Sequence, residues 1–310
     1  MGFPVHASAA NYSASGTGNT SKFIPEIWSG KLVEKFYKAT VFGDIANTDY
    51  EGEISSYGDK VYIRTVPDLT VTDYVKGGGL TYQNPESANV ELLIDKGKYF
   101  AFNLFDVDKM QSDLNLMNTF ADDGGEQIKI AVDTDILGNV FTSVAAQNAG
   151  GTAGADGNID LGTQTTAARS VTKTNVIDFI VDAGQILDEQ NIPESGRYIV
   201  IPPGMASRIK KSDLKDASLA GDGTSMLRNG RLGMVDRFTI YSSNSVSQTV
   251  AGEYDVVFGH PSALTFAGQI TAMEDMPNPD DFGQLVRSLF VYGYSVIKPD
   301  AMGHAIVSLA

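Results

Sequence analysis

Ile128, Val132, Ile136, Val140 and Val144 recur every four residues, and Ile130, Leu137 and Phe141 mark a second apolar stripe. This period predicts one long helix over Asp113–Val144. A helix of about 30 residues is roughly 45 Å long. Two apolar stripes need partners along that whole rod, so they are core or subunit contact rather than a cofactor box. Gly124 and Gly125 interrupt the pattern, each weakening the helix by about 1 kcal/mol.

Around this rod the patterning is mixed. Pro25 is placed to open a short helix, with Trp28, Leu32, Val33, Phe36 and Tyr37 on one face. Asn47–Ser56 carries turn and strand signals. Lys60–Val66 alternates, with Val61 and Ile63 on one side and Lys60, Tyr62 and Arg64 on the other. Thr70–Tyr74 reads as a second strand, and Gly77, Gly78 and Gly79 as a bend without side chains. Val90–Ile94 and Tyr99–Leu104, joined by Asp95–Lys98, read as a hairpin. The segment from Gly58 to Leu104 thus reads as antiparallel ribbons with a glycine-rich tip.

After the rod, Gln147–Thr172 is rich in Gly, Ala, Thr and Asn and is expected to be a linker or loose loop. Thr174 is placed to cap a helix to about Gln190, with Val176, Ile177, Ile180, Val181 and Leu187 inward. Arg197–Ile201 reads as a buried strand stopped by Pro202 and Pro203, followed by a short helix over Gly204–Lys211. Lys215–Gly233 reads as loop. Strands are expected over Arg237–Ser242, Tyr254–Gly259, Leu264–Ala267, Leu285–Tyr294 and His304–Leu309, with a turn at Met276–Asp281. Helices and strands do not alternate as βαβ units, so the fold class is α+β, in two lobes with an extended ribbon.

Composition excludes several functions. The 310 residues carry a net charge of -15, with Lys and Arg together only 23. A nucleic-acid reader needs a basic stripe, and none is present. There is no cysteine, which removes thiolate nucleophiles and cysteine-held zinc. The three histidines, His6, His260 and His304, are scattered, and none stands at metal-ligand spacing from another. Gly16–Lys22 lacks the preceding strand and the Gly-Lys-Ser ending of a phosphate loop. Asp106, Asp108 and Asp113 suit a helix start, and Asp275, Asp280 and Asp281 suit a solvated turn. No catalytic residue, cofactor or metal is expected. The start lacks the basic and apolar regions of a secretory signal, and no run of about 18 apolar residues could cross a membrane. A hydrophobic fraction of 42% is enough for a packed core.

Several local sequences resemble the tailed-phage major capsid proteins. These are Phe23-Ile24-Pro25-Glu26-Ile27-Trp28-Ser29, Phe42-Gly43-Asp44-Ile45, Tyr50-Glu51-Gly52-Glu53-Ile54 and Gly58-Asp59-Lys60-Val61-Tyr62-Ile63. Phe105-Asp106-Val107-Asp108-Lys109-Met110 and Val296-Ile297-Lys298-Pro299-Asp300-Ala301 are similar to the podophage members. The order of elements resembles the Hong Kong 97-like capsid fold. That resemblance implies an N-terminal arm and short helix over 1–40, and an extended β-ribbon loop with flanking peripheral-domain strands over 41–105. It further implies a peripheral-domain spine helix and linker over 106–172, an axial domain over 173–276, and peripheral-domain return strands over 277–310.

The function it implies is a major capsid protein that assembles through hexamers and pentamers into an icosahedral head around double-stranded DNA. A cellular encapsulin shell is the alternative, and the two share most physical features. Contacts between subunits are expected at Tyr74, Lys76, Gly77, Gly78, Gly79, Tyr82 and Trp28. Some family members crosslink an extended-loop lysine to a neighbour's asparagine, and Lys76 is the candidate here. The polar stretch Ala7–Ser21 reads as an arm held by a neighbouring subunit. The chain starts at Met1 with no long charged helical extension, so a separate scaffolding protein is expected. A portal, packaged DNA held without specific recognition and a decoration protein complete the implied partners, in a virion assembled in the host cytoplasm without a membrane.

Overall fold

The computed structural model describes residues 38, 40–48, 60–64, 67, 69–77, 79, 82–85, 89–105, 116–165, 167–212, 233–279 and 281–309. The expected helix at Pro25 and the acidic residues Asp106, Asp108, Asp113 and Asp280 lie outside them, as does nearly all of the loop expected at Lys215–Gly233. Among the described residues the chain is α+β, built on a three-stranded and a six-stranded sheet with a separate two-stranded ribbon.

The first sheet holds β3 (Lys96–Phe105), β10 (Gly283–Val296) and β9 (Leu264–Pro277), antiparallel with β10 central. After the single-turn helix α1 (Phe42–Ile45), the long helix α2 (Leu116–Asn139) packs on it. The four-residue spacing decides which side it buries: Val132, Ile136, Leu137 and Val140 are in the core with Phe266 and Tyr292. The helix ends earlier than its pattern. Val140–Ser143 tightens into a 3-10 turn and Val144 is extended. Helix and sheet approach closely at Gly124, where a Cβ would sit 2.9 Å from the Phe100 ring.

The second sheet is mixed, in the order β4 (Arg169–Val171), β11 (Met302–Leu309), β8 (Glu253–Gly259), β5 (Arg197–Ile201), β7 (Phe238–Ser242) and β6 (Met234–Val235). Helices α3 (Val176–Glu189) and α4 (Pro203–Lys211) cover it. Every residue of β5 is buried, as an apolar run bounded by prolines suggests. Fully buried Arg197 is satisfied by Asp188 at 2.6 Å and by the carbonyls of Gly184, Ile192 and Pro193. Residues 277–310 divide between the sheets: β10 is the middle of the first, and β11 lies inside the second.

Several local expectations are corrected. The 147–172 stretch is not a loose linker, because Ala153, Ile159, Leu161 and Val171 are buried against α3 and the second sheet. Small residues there let the backbone pack closely: a Cβ on Gly162 would lie 2.6 Å from the Arg169 amide. Thr174 does not cap α3. Asn175 holds that position, and its Oδ1 instead accepts the Thr172 amide at 2.6 Å. Val181 faces solvent, while Phe179, Ala183 and Ile186 point inward.

Candidate inter-subunit surface

β1 (Lys60–Arg64) and β2 (Asn89–Leu93) form a two-stranded antiparallel ribbon, Lys60 opposite Leu93 and Arg64 opposite Asn89. The alternation read from the sequence holds, with Val61 and Ile63 buried. With Leu92 and Ile94 they pack on Ala267 and Val291 of the first sheet. The expected hairpin between the segments at 90–94 and 99–104 does not form. β2 pairs only with β1, and β3 pairs with β10. Ile94 is fully buried at the ribbon root, so the chain passes from the ribbon layer into the sheet rather than turning back. Gly293 permits the crossing: a Cβ there would overlap the Leu93 carbonyl oxygen.

Beyond β1 the connection projects away from the core. Leu69, Val71, Tyr74, Val75 and Tyr82 are all exposed, Val71 at 95%, Tyr74 at 77% and Tyr82 at 85%. Thr70–Tyr74 does not form the expected strand. The Thr70 amide and carbonyl are taken by the Gln83 side chain, at 3.0 and 2.7 Å, rather than by another strand. Lys76 and Gly77 form the turn at the tip, and Gly77 and Gly79 have φ of 85° and 77°, which favours glycine. The structure therefore brings Tyr74, Lys76, Gly77, Gly79 and Tyr82 into one projecting element. Gly78 and Trp28 lie outside the described residues. A run of exposed large apolar side chains on a monomer marks an interaction surface.

A second apolar surface is absent from the sequence-based expectations. On the first sheet, Phe100 and Phe102 face α2, while Tyr99 and Ala101 face outward beside Leu289. Arg287 and Glu274 pair at its edge. The sequence signal was the apolar content of both faces of Tyr99–Leu104. A half-solvated strand would alternate apolar with polar.

The charged groups serve packing. Lys96 bonds Asp135 at 2.7 Å and the Tyr294 hydroxyl at 2.8 Å, and the Tyr292 hydroxyl donates to Asp135 at 3.1 Å. Burial works against the Lys96 charge, but these bonds outweigh it and raise its pKa. Asp133, buried in α2, accepts the amides of Val41 and Phe42 at 2.9 and 3.0 Å. Burial pushes its carboxyl up, and the two amides pull partly against that. His304 lies 3.1 Å from Asp255 and stacks on Phe141. His260 bonds Ser262, and burial lowers its pKa. No group of three metal-ligating side chains exists among the described residues, and no helix among them is long and apolar enough to cross a membrane.

The model of the family described as phage capsid protein matches residues 89–305, from β2 into β11. The chain belongs to that family. A chain of Mycobacterium phage Che8 is similar at 29% identity and a TM-score of 0.72, over 92% of this chain and 97% of that one. The capsid of cyanophage P-SCSP1u is similar at 17% identity and a TM-score of 0.68, over 96% and 95%. The mature capsid of bacteriophage PhiM1 is similar at 17% identity and a TM-score of 0.62, over 92% of each chain. Among curated proteins nothing matches. The capsid protein thus has the Hong Kong 97-like fold and is a structural subunit of a virion shell.

Proposed function

We propose that this capsid protein assembles through hexamers and pentamers into an icosahedral phage head enclosing double-stranded DNA. The observation that carries this is the projecting connection between β1 and β2. It displays five large apolar side chains that its own subunit leaves uncovered, and copies of the same chain would cover them. In this reading the connection is the extended loop, lying over the neighbouring subunit. The α2 sheet is the peripheral domain, and the six-stranded sheet with α3 and α4 is the axial domain.

Each contact is expected to be weak, about 4–8 kcal/mol, which corresponds to millimolar to micromolar affinity. Weak contacts let misplaced subunits leave, while many per subunit hold the finished shell. A net charge of -15 suits a container that does not adhere to the polymer inside. A scaffolding protein, a portal and a decoration protein are the partners this reading brings with it. Assembly takes place in the host cytoplasm, and no enzymatic step is assigned to the chain.

Negative-stain microscopy of the purified protein tests the reading. Closed shells are expected from the unaltered chain. The double variant Val71→Asp and Tyr74→Asp is expected to leave folded subunits that form none. Shells of normal yield from that variant would remove the loop from the assembly contacts.

A further inference from the structure

An apolar cleft of about 270 Å³ opens between the N-terminal half of α2 and the first sheet. Its walls are Phe100 and Phe290 from the sheet and Ala121, Gly125, Ile128 and Val132 from the helix. The helix residues are spaced four, three and four apart, so they form one continuous groove along α2. Half-exposed Phe120 extends it, edge-on to Phe102. The cleft is smaller than the roughly 300–1,000 Å³ of small-molecule sites, and it carries few of the convergent polar groups such sites use. It is the right size for large apolar side chains.

The chain itself arrives at this cleft. Phe42 lines its mouth. Two hydrogen bonds from the Val41 and Phe42 amides to Asp133 pin that point to α2. The charge of Lys38, three residues before Val41, also acts on Asp133. Residues 25–37 come immediately before, with Trp28, Leu32, Val33, Phe36 and Tyr37 at helical spacing on one face.

We propose that the cleft seats the chain's own segment 25–37, whose apolar face packs along α2 against the Phe100 and Phe290 side. The tether decides for the same chain over a second copy. A segment joined to Phe42 by a short linker has an effective concentration on the order of millimolar, above that of free subunits in solution.

Trp28 is the chain's one tryptophan, so its fluorescence reads the seat directly. In dissociated full-length subunits its emission should be blue-shifted and poorly quenched by iodide. Gly125→Leu fills the cleft: Gly125 lines it, and nothing lies within 4 Å of a Cβ there. The substitution also favours the helix, so it does not threaten the fold. It should shift the emission to the red and raise quenching toward that of a free tryptophan, with unchanged far-ultraviolet circular dichroism. Gly125→Ala should leave the emission as it is. An emission that is already that of exposed tryptophan, or one that Gly125→Leu does not move, overturns the proposal. A red shift on diluting the unaltered protein, following the loss of assembled particles, also overturns it by placing a second copy's segment in the cleft. Because the measurement is made on subunits, it is independent of whether shells form.

Discussion

Gln83 bonds both backbone groups of Thr70, accepting its amide at 3.0 Å and donating to its carbonyl at 2.7 Å. One side chain thus does for a single residue what a neighbouring strand would do in a sheet, and it ties the outgoing and returning arms of the projecting loop.

Replacing Gln83 with Ala should loosen that loop without touching the core. The subunit's unfolding free energy, from urea titration, should change by less than about 0.5 kcal/mol, the range of exposed sites. Limited proteolysis between β1 and β2 should become faster, and shell yield should fall. Unchanged cleavage and yield would show that the two bonds hold nothing.

Gly293→Ala places a methyl against the Leu93 carbonyl and 3.0 Å from the Ile94 Cα. Both are backbone atoms, so the ribbon root has to lift off β10. Overpacking of this kind costs about 1–3 kcal/mol. Equilibrium urea unfolding measures it. Because the ribbon root packs through Val61, Ile63, Leu92 and Ile94, shells from this variant should also be fewer than the stability loss alone explains.

Two buried carboxylates should give opposite pH slopes. Burial would raise Asp255, but its bonds to His304 and Thr249 prevail and hold it below the ordinary 3.8. Its stabilising contribution is complete above that value and is lost as pH falls through the lowered one. Asp133 is raised above 3.8 by burial. Its contribution is complete below 3.8 and is lost as pH rises through the raised value.

Asp255→Asn should therefore lower stability at neutral pH by about 1–3 kcal/mol and flatten the acid limb. Asp133→Asn keeps an acceptor for Val41 and Phe42 and should hold or raise the neutral-pH midpoint. Asp133→Ala should lower it by about 1–3 kcal/mol. Urea midpoints from pH 2 to 8 separate these outcomes.

Lys76 is exposed in the turn at the loop tip. Without a covalent link between loops, boiled and reduced particles should run as one band at 33.1 kDa. A ladder of multiples that Lys76→Arg abolishes would instead assign the reaction to Lys76.

What the sequence alone determined was whatever depends on neighbours along the chain. The four-residue period of Val132, Ile136 and Val140 marked the helix and its buried side. The alternation at Val61 and Ile63 marked a strand and its inner face, and prolines after Ile201 marked where β5 stops. The loop tip was legible because Gly77 and Gly79 need a left-handed backbone.

Only the tertiary structure decided which strands pair and which surfaces stay open. Ile94 looked like the end of a hairpin strand, yet it is the point where the chain changes layer. Leu161 looked like part of a linker and is core. Strand β11 joins a sheet whose nearest partner strands, β4 and β8, lie more than 40 residues away in sequence. The reason is physical. A period of 3.6 or 2 is imposed by each residue's own backbone and by whether its side is dry. Pairing, crossing and exposure depend on backbone and side-chain groups distant in sequence, and they are settled only when the whole core closes.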